Sequence, residues 1–123
     1  MDNEQIYKPR DIQKRTFEFA KRIVKLVDRL PRSVAGVEVG RQLLRSGTSV
    51  GANVREADAA ETHRDFVHKI MIAEKEAKES HYWLELVDET LLPNDSEVKA
   101  LLDEADQLSR ILYAIGRRKK HTN

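Results

Sequence analysis

From Phe66 to Leu91 the chain sets apolar or small residues at alternating steps of four and three: Phe66, Ile70, Ala73, Ala77, Ser80, Leu84, Val87 and Leu91. A period averaging 3.5 residues lines them up on one narrow seam of an α-helix, and on no single face of a strand. A helix with that seam is stable in water only when other helices cover it. The segment also carries its own start signal. Thr62-His63-Arg64-Asp65 forms a capping box, with Thr62 placed to accept from the backbone N–H of Asp65. At ~1.5 Å per residue this third helix spans roughly 40 Å, so its partners have to be long helices as well.

Three such partners can be read. Helix one starts near Pro9-Arg10-Asp11, since proline suits a first turn and an acid the positive helix end, and stops at Leu30-Pro31. Phe19, Ala20, Ile23, Val24, Val27 and Leu30 form its apolar stripe, and Arg15, Glu18, Arg22, Lys25 and Arg29 a largely basic one. Helix two follows Ser33 as N-cap and runs to about Glu61. It contains Gly36, Gly40, Gly47 and Gly51, and glycine costs about 1 kcal/mol against alanine in a helix interior. Gly47 and Gly51 therefore mark a break, a kink or a close helix contact. A long bent helix is expected, with separate short helices as the alternative. Helix four opens at Pro93-Asn94-Asp95-Ser96-Glu97, where Asn94 and Glu97 can cap reciprocally. Val98, Leu101, Leu102, Ala105, Leu108, Leu112 and Ile115 line its apolar face, and Gly116 with Arg117-Arg118-Lys119-Lys120 ends it. No segment alternates with period two, so no strand is expected. Short connections make neighbours antiparallel. The expected fold is all-α, an up-down-up-down four-helix bundle formed by one domain over residues 1–123, with an ordered core at about 10–118.

Composition removes several function classes. The chain has no cysteine, which excludes disulfides and thiolate metal sites. No run approaches the ~20 apolar residues of a membrane span, and the polar start Met1-Asp2-Asn3-Glu4-Gln5 has no apolar signal region, so a cytoplasmic protein with no membrane partner is expected. Net charge is only +1 but unevenly spread. Residues 8–32 carry nine Lys/Arg and three Asp/Glu, residues 61–109 five and thirteen, residues 110–123 five and none. Such asymmetry fits an anionic partner, or unlike surfaces meeting in an oligomer.

Bundles often hold di-metal carboxylate sites built on Glu-x-x-His. Here the nearest approach is Asp65-x-x-His68, and Lys78 stands three residues before His81. Ser46, Thr48 and Ser49 sit in no nucleophile elbow, and the glycines form no phosphate loop. No catalytic residue, metal or cofactor is expected, and hence no enzyme. Asn53 and Glu56, at i, i+3, share a helix face and are read as structural polar groups with Arg45 or Arg55 as charged partner. Trp83, beside Tyr82, lies off the main seam. It fits the monomer core or a subunit contact equally well.

Gln42-Leu43-x-Arg45, followed by Ser49-Val50-Gly51-Ala52-Asn53-Val54-x-Glu56-Ala57, resembles the four-helix-bundle family of 23S rRNA intervening-sequence proteins. Asp65-Phe66-x-x-Lys69-x-x-x-Ala73-x-x-Glu76-Ala77-x-Glu79-x-x-Tyr82-Trp83-Leu84 is similar to that family's third helix, so the resemblance covers about residues 10–118. Gly51 stands where the family has proline and Ala57 where it has glycine. The resemblance makes Gln42, Arg45, Ser49, Gly51, Asn53 and Glu56 the motif, and it implies a homopentamer. Some members are encoded inside intervening sequences of ribosomal RNA genes. A related branch serves diversity-generating retroelements as accessory proteins that bind a reverse transcriptase and nucleic acid. The expected function is thus a non-enzymatic oligomer binding RNA or DNA through a basic face of Arg10, Lys14, Arg15, Arg22, Lys25, Arg29, Arg117, Arg118, Lys119 and Lys120, with Tyr82 and Trp83 at the subunit contact. The alternative is a scaffold for a polymerase-like protein with no direct nucleic-acid contact.

Overall fold

The computed structural model describes residues 9–118, and side chains from residue 11 onward. Four helices follow one another: α1 (Pro9–Asp28), α2 (Val34–Asp58), α3 (His63–Leu86) and α4 (Ser96–Gly116). A π-helical turn, Val87–Leu91, extends α3 and closes with Leu92 N donating to Val87 O at 2.9 Å. Among the described residues there is no strand. α1 packs along α2, α2 along α3 and α3 along α4, while α1 and α4 approach each other less closely. Ion pairs from α1 to α4 run in opposite residue order along the two helices, as an up-down-up-down bundle requires.

The caps explain where the helices begin. Ser33 accepts from Gly36 N at 3.0 Å and Thr62 from Asp65 N at 3.1 Å, both as the sequence predicts. Helix four differs. Its N-cap is Asp95, which accepts from Glu97 N and Val98 N at 3.0 and 3.1 Å. Asn94 instead takes φ 63°, a left-handed turn conformation that asparagine tolerates better than most residues. The Glu97 side chain is drawn away to α1, so no reciprocal cap forms there.

The core holds Phe19, Ile23 and Leu26 of α1, Leu43, Val50 and Val54 of α2, Ile70 and Leu84 of α3, and Leu101, Leu108 and Leu112 of α4. Each large apolar side chain removed from water contributes about 1.5–3 kcal/mol. The α1 stripe is rotated from expectation: Leu26 is buried, and Val24 is exposed. Ala73, Ala77 and Ser80 supply the small positions that let α3 sit at the centre, against both α2 and α4.

α2 stays helical through Gly47 and Gly51, so neither marks a break. Both face α1. A Cβ at Gly47 would stand 2.8 Å from Ile23 Cγ2 and 2.9 Å from its Cγ1, and one at Gly51 3.2 Å from Thr16 Oγ1. Thr16 turns its hydroxyl back to Ile12 O, 2.8 Å away, so the crowded interface holds no unpaired polar group there. The missing side chains allow the two backbones to come close, and the helix-propensity cost is the consequence.

Gly47→Ala should therefore lower stability by about 1–2 kcal/mol, because overpacking against β-branched Ile23 outweighs the propensity gain. At Gly40 a Cβ would meet only Leu30 Cδ1 and Val27 Cγ1, at 3.2 and 3.3 Å. Gly40→Ala should stay within about 0.5 kcal/mol of the parent, since those side-chain ends can move. Urea unfolding of the two variants checks the pair, and a stable Gly47→Ala chain would contradict the close-packing account.

Candidate functional site

Arg15, Arg22 and Arg29 stand seven residues apart, two helical turns each, so they form one row on α1. The row faces α4. Arg15 Nε donates to Glu104 Oε2 at 2.7 Å and its Nη2 to Glu104 Oε1 and Gln107 Oε1, both at 2.9 Å. Arg22 grips Glu97 with two bonds of 3.0 Å. Arg29 grips Asp95 with bonds of 2.9 and 3.0 Å. All three are bidentate, the strongest geometry open to a guanidinium. The electrostatics agree: hydrogen bonding to Glu104, Glu97 and Asp95 pushes the three arginines up, and the Arg22 bond holds Glu97 below its usual range. Asp95 falls furthest, from 3.8 to about 2, held there first by Arg29 and then by the Val98 N–H it caps.

Three residues of the basic face read from the sequence, Arg15, Arg22 and Arg29, are thus already occupied by carboxylates of the same chain. Lys14 and Lys25 are exposed and have no ion pair among the described residues. Arg117 does not join the row. It reaches α3, where Nη1 donates to Glu74 Oε1 at 2.9 Å, and it stacks over the Tyr113 ring at 3.8 Å. Glu74 is buried, and Lys78 approaches its other oxygen at 3.2 Å. Arg118 is half-buried next to it. The Arg10 side chain, Lys119 and Lys120 lie outside the described residues. One sequence signal did announce the ladder: Glu97 and Glu104 repeat with the same seven-residue step as the arginines.

The second polar seam joins α2 to α3 through Arg45 and Glu56 of the motif. Arg45 donates to both oxygens of Glu76 at 3.2 Å, and also bonds Glu79. Glu79 in turn accepts from Trp83 Nε1 at 3.0 Å; that bond, followed by Arg45, holds its carboxyl low. Trp83 is half-buried against the core, whereas Tyr82 is 54% exposed and meets the indole edge-on at 5.0 Å. Beneath them the Ser46 and Ser80 hydroxyls, both fully buried, lie 2.9 Å apart, and Ser80 also reaches Glu76 O at 2.9 Å.

Asn53 and Glu56 have other partners than the sequence suggests. Asn53 Nδ2 donates to Ser49 O at 2.8 Å, one turn back, and Glu56 pairs with Lys69 at 2.7 Å. Ser49 itself bonds Arg45 O at 2.6 Å. Arg45 is committed to α3, and Arg55 lies over the Phe17 ring at 5.0 Å. Gln42 is exposed on the same side of α2. Among the described residues no cluster of three or more His, Asp or Glu could hold a metal, and no helix is long and apolar enough to cross a membrane.

A long-helix bundle whose seams are laced by arginine–carboxylate pairs is the class that fold and site define. The model of the family described as 23S rRNA-intervening sequence protein matches residues 8–114, and the chain belongs to that family. No curated protein sequence matches it. Among solved structures it is similar to a protein of unknown function from the S23 ribosomal protein family of Bacteroides thetaiotaomicron VPI-5482. The two share 36% identity and a TM-score of 0.82, over 91% of this chain and 100% of that one.

Because the folded state depresses Asp95, its contribution is fully present above about pH 4 and is lost as pH falls through about 2. Asp95→Asn should lower the melting temperature at pH 7, and the gap to the parent should close between pH 4 and 2. A gap that stays constant over that window would mean Asp95 acts only as an uncharged cap.

Proposed function

We propose that this chain is a non-enzymatic cytoplasmic scaffold that assembles with copies of itself, as a pentamer, and acts by contacting another protein. A polymerase-like enzyme is the leading class of partner. One observation supports this reading over a nucleic-acid grip: every arginine of the α1 row already holds a carboxylate of α4. A phosphate arriving there would exchange one anion for another, with little counterion release to drive binding. Apolar surface, in contrast, is left open. Tyr82, Tyr113 and Met71 are exposed on α3 and α4, and exposed apolar groups gathered on one side of a protein mark contacts. Tyr82 is the better candidate for the subunit contact, since Trp83 is tied to its own helix through Glu79.

Mass photometry at micromolar concentration should give particles near five times the 14.2 kDa chain mass. Only ~14 kDa particles would end the assembly reading. In parallel, a labelled RNA titrated at low salt should show no salt-dependent complex. A linear fall of log affinity with log salt, reduced by charge reversal at Lys14, Lys25, Lys119 and Lys120, would establish direct nucleic-acid binding instead.

A further inference from the structure

The outer flank shared by α1 and α2 differs from both polar seams. Phe17 and Val24 on α1 are 46% and 43% exposed, and Val37 and Leu44 on α2 are 47% and 37% exposed. Each pair is spaced by seven residues, so each forms a row along its helix. The packing sets the two rows side by side. Gly47 lies against Ile23, Gly51 against Thr16, and Gly40 against Val27 and Leu30, which puts Leu44 level with Val24. Arg55 over the Phe17 ring closes one end. From Val37 to Arg55 the flank runs roughly 27 Å at ~1.5 Å per residue.

Its charges are the reverse of those on the other seams. Arg41 and Arg55 are exposed and make no ion pair among the described residues, although Arg15, Arg22, Arg29, Arg45 and Arg117 all do. Lys21, 5.4 Å from the Phe17 ring centre, is the cation here with a carboxylate, Glu18. Asp28 is the exposed acid at the α1 end of the flank. An apolar strip about five turns long, edged by arginines with no carboxylate, fits an amphipathic helix with the opposite edges.

We propose that this flank is a docking groove for an acidic amphipathic helix of a protein partner, an inference that rests on the protein-binding reading above. Such a helix would lay its i, i+3/i+4, i+7 side chains between Phe17, Val24, Leu44 and Val37 and direct carboxylates to Arg41 and Arg55. Two-fold pairing of this flank with itself would bring like charges together. The outward side of α3 mixes Lys75 and Lys78 with Glu85 and Glu89, and Lys78 already pairs with Glu74, so it offers no continuous acidic edge to Arg41 and Arg55 and a second copy is the poorer occupant. Phosphate backbones have no use for four exposed apolar side chains, which weighs against RNA.

The test is fluorescence anisotropy with a labelled three-heptad peptide helix that carries Leu at a and d and Glu at e and g. It should bind the full chain at micromolar concentration, and replacing its Glu by Lys should weaken binding by about tenfold or more. Arg41→Glu with Arg55→Glu should weaken the acidic peptide to a similar extent, as should Leu44→Ser, with helicity by circular dichroism unchanged. Because all three positions are exposed, the milder Arg41→Ala keeps the test sound if the double reversal unfolds. Equal affinity for acidic and basic peptides, or no binding up to millimolar peptide, would overturn the groove. Loss of the oligomer in Leu44→Ser would also overturn it, by making the flank a contact between copies. Intact oligomer mass without peptide binding would remove this inference alone, whereas monomeric particles would remove the scaffold reading beneath it.

Discussion

The bundle closes between α1 and α4, and it closes with arginine. α1 is fastened to α2 by backbones brought together at Gly47 and Gly51, but its approach to α4 is wider. Long side chains fill that distance. Their stems cover apolar surface while their heads pair at the rim. Three bidentate pairs two turns apart also fix the register, since a slip by one turn would set Arg22 between carboxylates instead of on Glu97. The Arg15–Glu104 and Arg22–Glu97 pairs are half-exposed and each contributes less than about 1 kcal/mol. Their weight lies in specificity: they select the one rotation and offset of α1 in which Phe19, Ile23 and Leu26 point inward.

That selection decides what is left for function. Once Arg15, Arg22 and Arg29 are bound to α4, that row of cations is neutralised, while Lys14 and Lys25 stay exposed beside it. Two of the exposed cations without an ion pair among the described residues, Arg41 and Arg55, edge the apolar strip on the opposite side of α1. On α2 and α3 the same logic holds. Arg45, Glu76, Glu79 and Trp83 form one chain of bonds above the buried Ser46–Ser80 pair, so Arg45 of the family motif serves to join two helices. Gln42 of the motif and Tyr82 of the third-helix pattern are exposed.

The helices and two of their caps were legible because the signals are local. The Phe66–Leu91 seam, Ser33 and Thr62 each act within a turn of themselves. What was not legible depends on the neighbours. Val24 and Leu26 belong to two overlapping apolar stripes, and only the position of α4 decides which one is buried. Gly47 reads as break or as contact until Ile23 is seen opposite it. Asn94 and Asp95 are both competent caps, and the left-handed turn at Asn94 hands the role to Asp95. The partners of the basic stripe were hidden for the same reason: a charge is read locally, but its partner can stand 89 positions away, as Glu104 does from Arg15.

Whether α4 holds those arginines is measured directly by a charge-swap cycle at Arg22 and Glu97. Arg22→Glu and Glu97→Arg should each destabilise the bundle at low salt, and the double swap should recover most of the loss. The expected coupling is about 0.5–1 kcal/mol for a half-exposed pair, shrinking as salt rises. If the double variant loses as much as the two single changes added together, the pair does not exist in solution. Arg15, Arg22 and Arg29 would then be a free basic row after all.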